Sequence, residues 1–314
     1  MTISVRPITD DDISRVAEFL HVHMNSRVPL DAWVRSFDLP WTVDKPNSGF
    51  MLLDGDTVVG AYTAYYSERT FGERVVHLCN LGTWCVLPDH RFHSIRLLKR
   101  LLAQDDYHFT DLSPMDKVVS INKRLGFQFL DTKAVLIPAL PWPWRSGRHS
   151  VTSDPLIIEH TLTGHDLQLY RDHARASAVR HLLLTRGNEY CYIVFRMVRH
   201  KELPRVLALI LHLSNPLLFR EIVFRTVQHK ELSPVFALIL HVSNPRLFRQ
   251  MVLPLSGYLF VHHRAAAMLA ELRIIRTRPR FSIRTPLPRK MFLSPTLYPG
   301  QIDYFYSELA LLPY

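Results

Sequence analysis

Apolar residues along the chain recur first with a period of two and then with helical spacing, and the alternation marks out short elements. Thr83-Trp84-Cys85-Val86-Leu87 is strand-like and is stopped by Pro88. A basic loop, Asp89-His90-Arg91-Phe92-His93, then opens into a helix beginning at Ser94. There Ile95, Leu97, Leu98, Leu101 and Leu102 make one apolar stripe, and Arg96, Lys99 and Arg100 lie mostly off it. Tyr107-His108-Phe109 is a further short strand. Ser113-Pro114-Met115-Asp116 predicts a helix start with Ser113 as N-cap, and Gly126 its end.

The second half repeats this mixture. His165–Ala176 reads as a helix, while His181–Leu184 and Tyr190–Phe195 read as strands around a turn at Gly187-Asn188. Between the halves, Pro138-Ala139-Leu140-Pro141-Trp142-Pro143-Trp144 is too rich in proline for a helix or a central strand. It predicts a linker over 138–150 whose tryptophans dock on a domain, separating a domain over 1–137 from one over 151–314. A length of 314 residues, 47% of them hydrophobic, suits two cores better than one.

Inside the second half lies a tandem duplication. Ile193–Glu221 and Ile222–Gln250 align without a gap and differ at 8 of 29 positions, leaving 21 identical. Two copies are too few for a solenoid, so the segment reads as a duplication carried by the fold. In each copy Leu-Ile-Leu-His predicts a strand and Ser-Asn-Pro a helix entry. Ile193-Val194-Phe195 is expected as strand. Its copy, Ile222-Val223-Phe224, is expected within a helix from Pro216 to about Lys230, because Leu218, Ile222, Arg225 and His229 fall at helical spacing.

Charge and chemistry narrow the function classes. Lys and Arg number 38 against 28 Asp and Glu, a net charge of +10 that favours anionic partners. The basic residues are scattered, and no nucleic-acid-binding fingerprint occurs, which argues against nucleic acid. The 17 histidines include close pairs without a Cys or carboxylate at ligand spacing, so no metal is expected. The 3 cysteines form neither a metal spacing nor a disulfide framework. With no membrane-length apolar run and no signal-peptide pattern, a cytoplasmic protein is expected. The strand–loop–helix at Thr83–Leu102 is different in kind. First-turn N–H groups and the helix dipole favour a phosphate there, and Arg91, Arg96, Lys99 and Arg100 add cationic side chains.

These pieces together resemble the GNAT superfamily of acyl-CoA-dependent N-acyltransferases. The resemblance rests on Val86-Leu87-Pro88, on Arg91 through Ile95, on Leu97-Leu98, and on Lys123-Arg124-Leu125-Gly126-Phe127; Ile3-Ser4-Val5-Arg6-Pro7-Ile8 looks like the family's first strand, followed by the helix Asp10–Leu20, and Gly49–Tyr66 like its central hairpin, turning at Asp54-Gly55-Asp56. It covers roughly residues 1–135. It implies an α/β (α+β) class, with a mixed, mostly antiparallel sheet flanked by helices, and a second, degenerate domain of the same kind. It implies acetyl-CoA or a longer acyl-CoA as co-substrate and a small-molecule or peptide amine as acceptor. The CoA-binding residues it implies are Val86, Arg91, Phe92, His93, Ser94, Ile95, Arg96 and Asn122, with backbone near Val86 holding the carbonyl oxygen. For the general base the candidates are His77, by residue type, and its rivals Glu73 and Asp111. Ser94 and Arg96 occupy positions where the family usually has small residues, and Asn122 occupies one often held by a Tyr acid. A non-catalytic binding or scaffolding module of the same fold is therefore the alternative.

Overall fold

The computed structural model describes residues 3–199 and 235–313. In chain order the elements begin with β1 (Ile3–Pro7), α1 (Ile13–His23), α2 (Leu30–Arg35), β2 (Gly49–Asp54), β3 (Thr57–Phe71), β4 (Arg74–Val86), α3 (Ser94–Leu102), β5 (Tyr107–Asp111), α4 (Asp116–Arg124) and β6 (Gln128–Phe129). There follow β7 (Lys133–Pro138), β8 (Arg145–Ser146), β9 (His149–Thr152), α5 (Pro155–Thr161), α6 (Gly164–His173), β10 (Arg180–Arg186) and β11 (Glu189–Arg199). The last are β12 (Val235–Val242), α7 (Pro245–Gln250), α8 (Val252–His263), β13 (Ala267–Glu271), α9 (Leu272–Ile275), β14 (Ile283–Pro286), β15 (Met291–Leu293) and α10 (Glu308–Leu311).

The strands form two mixed, mostly antiparallel sheets, as expected. One runs β1-β2-β3-β4-β5-β15-β6 and the other β14-β7-β13-β12-β11-β10-β9-β8. Read from β9, the second sheet repeats the order of the first. In each, three antiparallel pairings are followed by one parallel pairing, β4 with β5 or β12 with β13. Two antiparallel pairings then complete each sheet.

The correspondence depends on an exchange of strands along the chain. β7 directly follows the strands of the first sheet but pairs with β13 and β14, while β15 inserts between β5 and β6. Contacts accordingly divide the chain into Met1–Asp131 with Arg171–Ala178 and Pro288–Tyr314, and Thr132–Tyr170 with Val179–Leu287. This division differs from the expected 1–137 and 151–314. It arises from pairings more than a hundred residues apart, which local composition does not encode. The expected linker holds β8 and the start of β9. Its Trp144 packs edge-on against Tyr258 and His262 within the second unit.

Alternation explains both cores. In the first unit Met51, Leu53 and Ala61 pack with Val16, Leu20 and Trp33 of α1 and α2. Their neighbours Leu52, Tyr62, Ala64 and Tyr66 face the opposite way, with Leu97, Leu98 and Leu101 of α3. Each buried leucine contributes about 2 kcal/mol. In the second unit Val135, Ile137, Ile193, Phe195, Ala237, Ile239, Met268 and Ala270 face α7 and α8, while Leu136, Phe236 and Leu269 take the other face.

Most local expectations hold. The hairpin turns at Gly55, with φ +58°, and Gly126 ends α4 with φ +90°. Asn244 caps α7, its Oδ1 accepting from Leu247 N–H at 3.0 Å. Ser113 departs from its expected role. α4 begins at Asp116 without a side-chain cap, because the Ser113 hydroxyl donates to Glu308 instead. Ile193-Val194-Phe195 lies in β11 as expected. The expected helix from Pro216 to Lys230, with its second Ile-Val-Phe, lies outside the described residues.

Candidate active site

The chain reaches the candidate site through a bulge. β3 and β4 pair Ala64 with Leu81 and Tyr62 with Trp84, so Gly82 and Thr83 together oppose Thr63. Thr83 N–H donates to Thr63 Oγ1 at 2.8 Å within that irregularity. Gly82 is needed there, since a Cβ would lie 2.5 Å from both Thr63 Oγ1 and the Tyr65 ring.

The ladder between β4 and β5 ends just before this bulge. Their parallel pairing runs only from His77 opposite Tyr107 to Asn80 opposite Thr110. β4 continues to Val86 with no pairing to β5, which leaves a gap in the ladder between these two strands.

Polar side chains fill the closed end of the gap. Asn80 Nδ2 donates to Thr110 O at 3.3 Å and to Thr110 Oγ1 at 3.0 Å. Asn80 Oδ1 accepts the backbone N–H of Glu308 at 3.1 Å. Asn122 Nδ2 donates to Asp111 Oδ2 at 2.7 Å. Asp111, Asn122 and Glu308 are 4%, 0% and 1% exposed. Burial pushes the Asp111 carboxyl up to about 7, against the opposing hydrogen bonds from Asn122 and the Ser113 backbone. Tyr62, stacked on Trp84 at 4.6 Å, has its phenol raised by burial and then by the charges of Asp111, Glu308 and Cys79.

At the open end, Pro88–His93 winds as a 3₁₀ turn that runs directly into α3. His90 N–H donates to Leu87 O at 3.0 Å, and Ser94 N–H donates to Arg91 O. Arg91 and Phe92 are exposed, while Val86, His93, Ser94 and Ile95 are half-buried. The Arg91 charge lowers the Cys85 thiol, but burial dominates and raises it, which places Arg91 beside the end of β4. Arg96 Nη1 donates to Ile3 O at 3.3 Å.

No protein-family model matches the sequence, and no curated protein matches it. Solved structures do. A GCN5-related N-acetyltransferase from Anabaena variabilis ATCC 29413 superposes with a TM-score of 0.53 at 11% identity, over 93% of this chain and 72% of that one. Saccharomyces cerevisiae N-myristoyltransferase with bound myristoyl-CoA gives 0.52 at 8% identity, over 93% and 78%. A GCN5-related N-acetyltransferase from Kribbella flavida gives 0.50 at 14% identity, over 93% and 70%. The chain has the GNAT fold.

Within this GNAT fold the expected site residues separate into groups. Asp111 and Asn122 come together, while Val86 ends β4 and Arg91 through Arg96 form the turn and first residues of α3 that follow it. Asn122 is fully buried on α4, where its Nδ2 holds Asp111. Glu73 is exposed in the β3–β4 turn, 13 residues from Val86 and so about 40 Å along the strand. His77 lies where β4 and β5 are still paired. Its Nδ1 is 3.6 Å from Glu68 Oε1, and its ring meets Tyr107 edge-on. Neither reaches the gap.

Sequence reasoning missed Asn80, Tyr62 and Glu308. Only Glu308 left a local signal, as one carboxylate in the otherwise apolar stretch Leu309–Leu312 and its preceding turn. Among the described residues no helix is long and apolar enough to cross a membrane.

Proposed function

We propose that the chain is an acyl-CoA-dependent N-acyltransferase, with co-substrate and acceptor meeting in the gap between β4 and β5. The observation that carries this reading is the protonatable carboxyl of Asp111, near 7, at the end of β5 just past the point where its ladder with β4 stops.

The chemistry has simple needs. An amine nitrogen attacks the thioester carbonyl, the C–N bond forms and the C–S bond breaks. The amine loses a proton, and the CoA thiolate takes one up. A backbone N–H near Val86 holds the carbonyl oxygen as it becomes negative. Asp111, kept near neutral pH by burial, receives the amine proton, and Asn122 fixes its orientation. Arg91 and the mouth of α3 attract the CoA phosphates. Acetyl and longer acyl groups are both compatible with this arrangement. The second unit, with its matching strand order, reads as a second domain of the same ancestry, and the protein as cytoplasmic.

A non-catalytic binding module is the second reading. It is favoured by two features: the winding of Pro88–His93, which commits backbone N–H groups to i→i+3 bonds, and the Glu308 turn held at Asn80.

Titration of the chain with acetyl-CoA and with a long-chain acyl-CoA, followed by thiol release over a panel of primary amines, decides between them. The enzyme reading expects saturable heat and amine-dependent thiol release. Binding without release supports the module, and neither signal removes acyl-CoA from both readings.

A further inference from the structure

The second unit contains an arginine-lined cleft that the acyltransferase reading does not use. It has a volume of about 540 Å³ and is lined by Arg246 and Arg249 of α7, Arg276 beyond α9, Asp166 of α6, and Ser243 and Asn244 at the end of β12. We propose that this cleft is a second ligand site, taking a compact phosphate-bearing ligand with two or more negative charges.

The charge balance of the cleft is three guanidinium groups against one carboxylate. Arg246 and Arg249 stand three residues apart on one helix face, so their side chains converge. None of the three arginines has a hydrogen-bond or ion-pair partner among the described residues. Asp166 is already engaged, at 3.9 Å from His241 Nε2. Unpaired planar guanidinium groups around one concavity match the oxygens of a phosphate group, which they bind two bonds at a time. The N-terminus of α7 contributes little, since Asn244 caps it from within.

Arg276 is held at some cost. Its φ of +58° is in the left-handed region, which a side-chain-bearing residue enters at roughly 1–2 kcal/mol. A tight turn closed by Thr277 N–H to Ile275 O at 2.7 Å fixes it there, at the cleft wall. Arg246 also borders an adjoining cleft of about 710 Å³ that carries Arg148 and Arg186 against Glu189, so net positive charge continues beside the first cleft. That shape suits a diphosphate with an attached group. An extended nucleic-acid backbone fits less well, because Asp166 lies within the concavity and repels a continuous phosphate chain.

Titration of the full chain with inorganic pyrophosphate at low salt tests the site. Saturable binding is expected in Arg91→Ala, which lacks the phosphate contact proposed for the co-substrate, and binding at least tenfold weaker once Arg246→Ala or Arg276→Ala is added. All three positions are exposed, so the variants are expected to fold, which circular dichroism checks. The Arg→Lys variants, which keep charge without the fork, are expected to fall between, and they serve as well if an alanine variant fails to fold. Absence of saturable binding in Arg91→Ala, or equal binding with and without the Arg246→Ala and Arg276→Ala changes, would overturn the proposal. So would tighter binding of a short DNA duplex through the same arginines. Acetyl-CoA titration of Arg246→Ala is expected to match the parent; a loss there would instead merge this cleft with the co-substrate site.

Discussion

Asn122 and Asp111 share a buried 2.7 Å hydrogen bond that ties α4 to the end of β5. The amide orients the carboxyl and lowers its proton affinity, yet burial prevails and leaves Asp111 near 7 rather than 3.8. A carboxyl whose folded-state value exceeds its unfolded one holds its proton longer in the native state. Below about pH 4 both states are protonated and the group has no effect on stability. As the pH rises from there toward 7, only the unfolded state ionises, so stability falls, by at most about 4 kcal/mol. Asp111→Asn keeps an acceptor for Asn122 and removes the charge. The variant is expected to be more stable than the parent at pH 8 and nearly equal to it at pH 4 in chemical denaturation. In the acyltransferase reading the same variant loses about 10²–10⁴-fold in rate. Parallel stability curves for parent and variant would show that Asp111 titrates normally.

What was legible in the chain was local. The strand–loop–helix of Thr83–Leu102, the turn at Gly55 and the end of α4 at Gly126 each depend on residues within a few positions, and periodicity found them. The exchange of β7 and β15 was not legible, because a six-residue apolar strand does not say which of two sheets it joins. Nor was the closed end of the gap. Asn80, Asn122 and Glu308 are distant in sequence, and each carries an ordinary polar side chain whose importance comes from burial. His77 and Glu73 were chosen by residue type and nearness to β4. The strand's length carries them away from the place where β4 and β5 part.

Asn80 bonds at once to the two structures that flank the gap. It donates to Thr110 and accepts from Glu308, so its removal leaves buried groups on both sides without partners. Asn80→Ala is expected to cost about 2–4 kcal/mol, with faster hydrogen exchange at the Glu308 amide. Asn80→Asp is expected to be worse above neutral pH, since it adds a carboxylate near Asp111 and Glu308 and loses both donors to Thr110. An unchanged exchange rate at Glu308 in both variants would mean that Asn80 does not hold the α10 turn.

The bulge at Gly82 depends on the absence of a side chain. Gly82→Ala places a methyl group 2.5 Å from Thr63 Oγ1 and from Tyr65 Cε2, so the Thr63–Thr83 bond must open or β3 must shift. A loss of about 1–3 kcal/mol is expected. Thr63→Ala gives up the same hydrogen bond but frees space for the methyl group. The double variant is therefore expected to be less destabilised than the sum of the two single ones, measured as a coupling energy in denaturant titrations. Strict additivity would place the strain elsewhere.

Arg91 and Arg96 are both exposed at the mouth of α3, but they are not equivalent. Arg96 donates to Ile3 O at 3.3 Å and is directed toward β1, while Arg91 lies close enough to Cys85 to act on its thiol. A phosphate at the end of β4 therefore meets Arg91 first. Arg91→Ala is expected to weaken acyl-CoA binding at least tenfold, whereas Arg96→Ala changes it less than threefold, with a stability loss under about 1 kcal/mol. The dependence on salt separates charge from packing. The Arg91→Ala deficit is expected to shrink as ionic strength rises toward 1 M, where surface charges are screened within about 3 Å. Calorimetry of both variants at two salt concentrations measures this. Equal deficits in the two variants would mean that the loop attracts the ligand only through its summed charge. A deficit confined to Arg96→Ala would move the phosphates toward β1 and away from the end of β4.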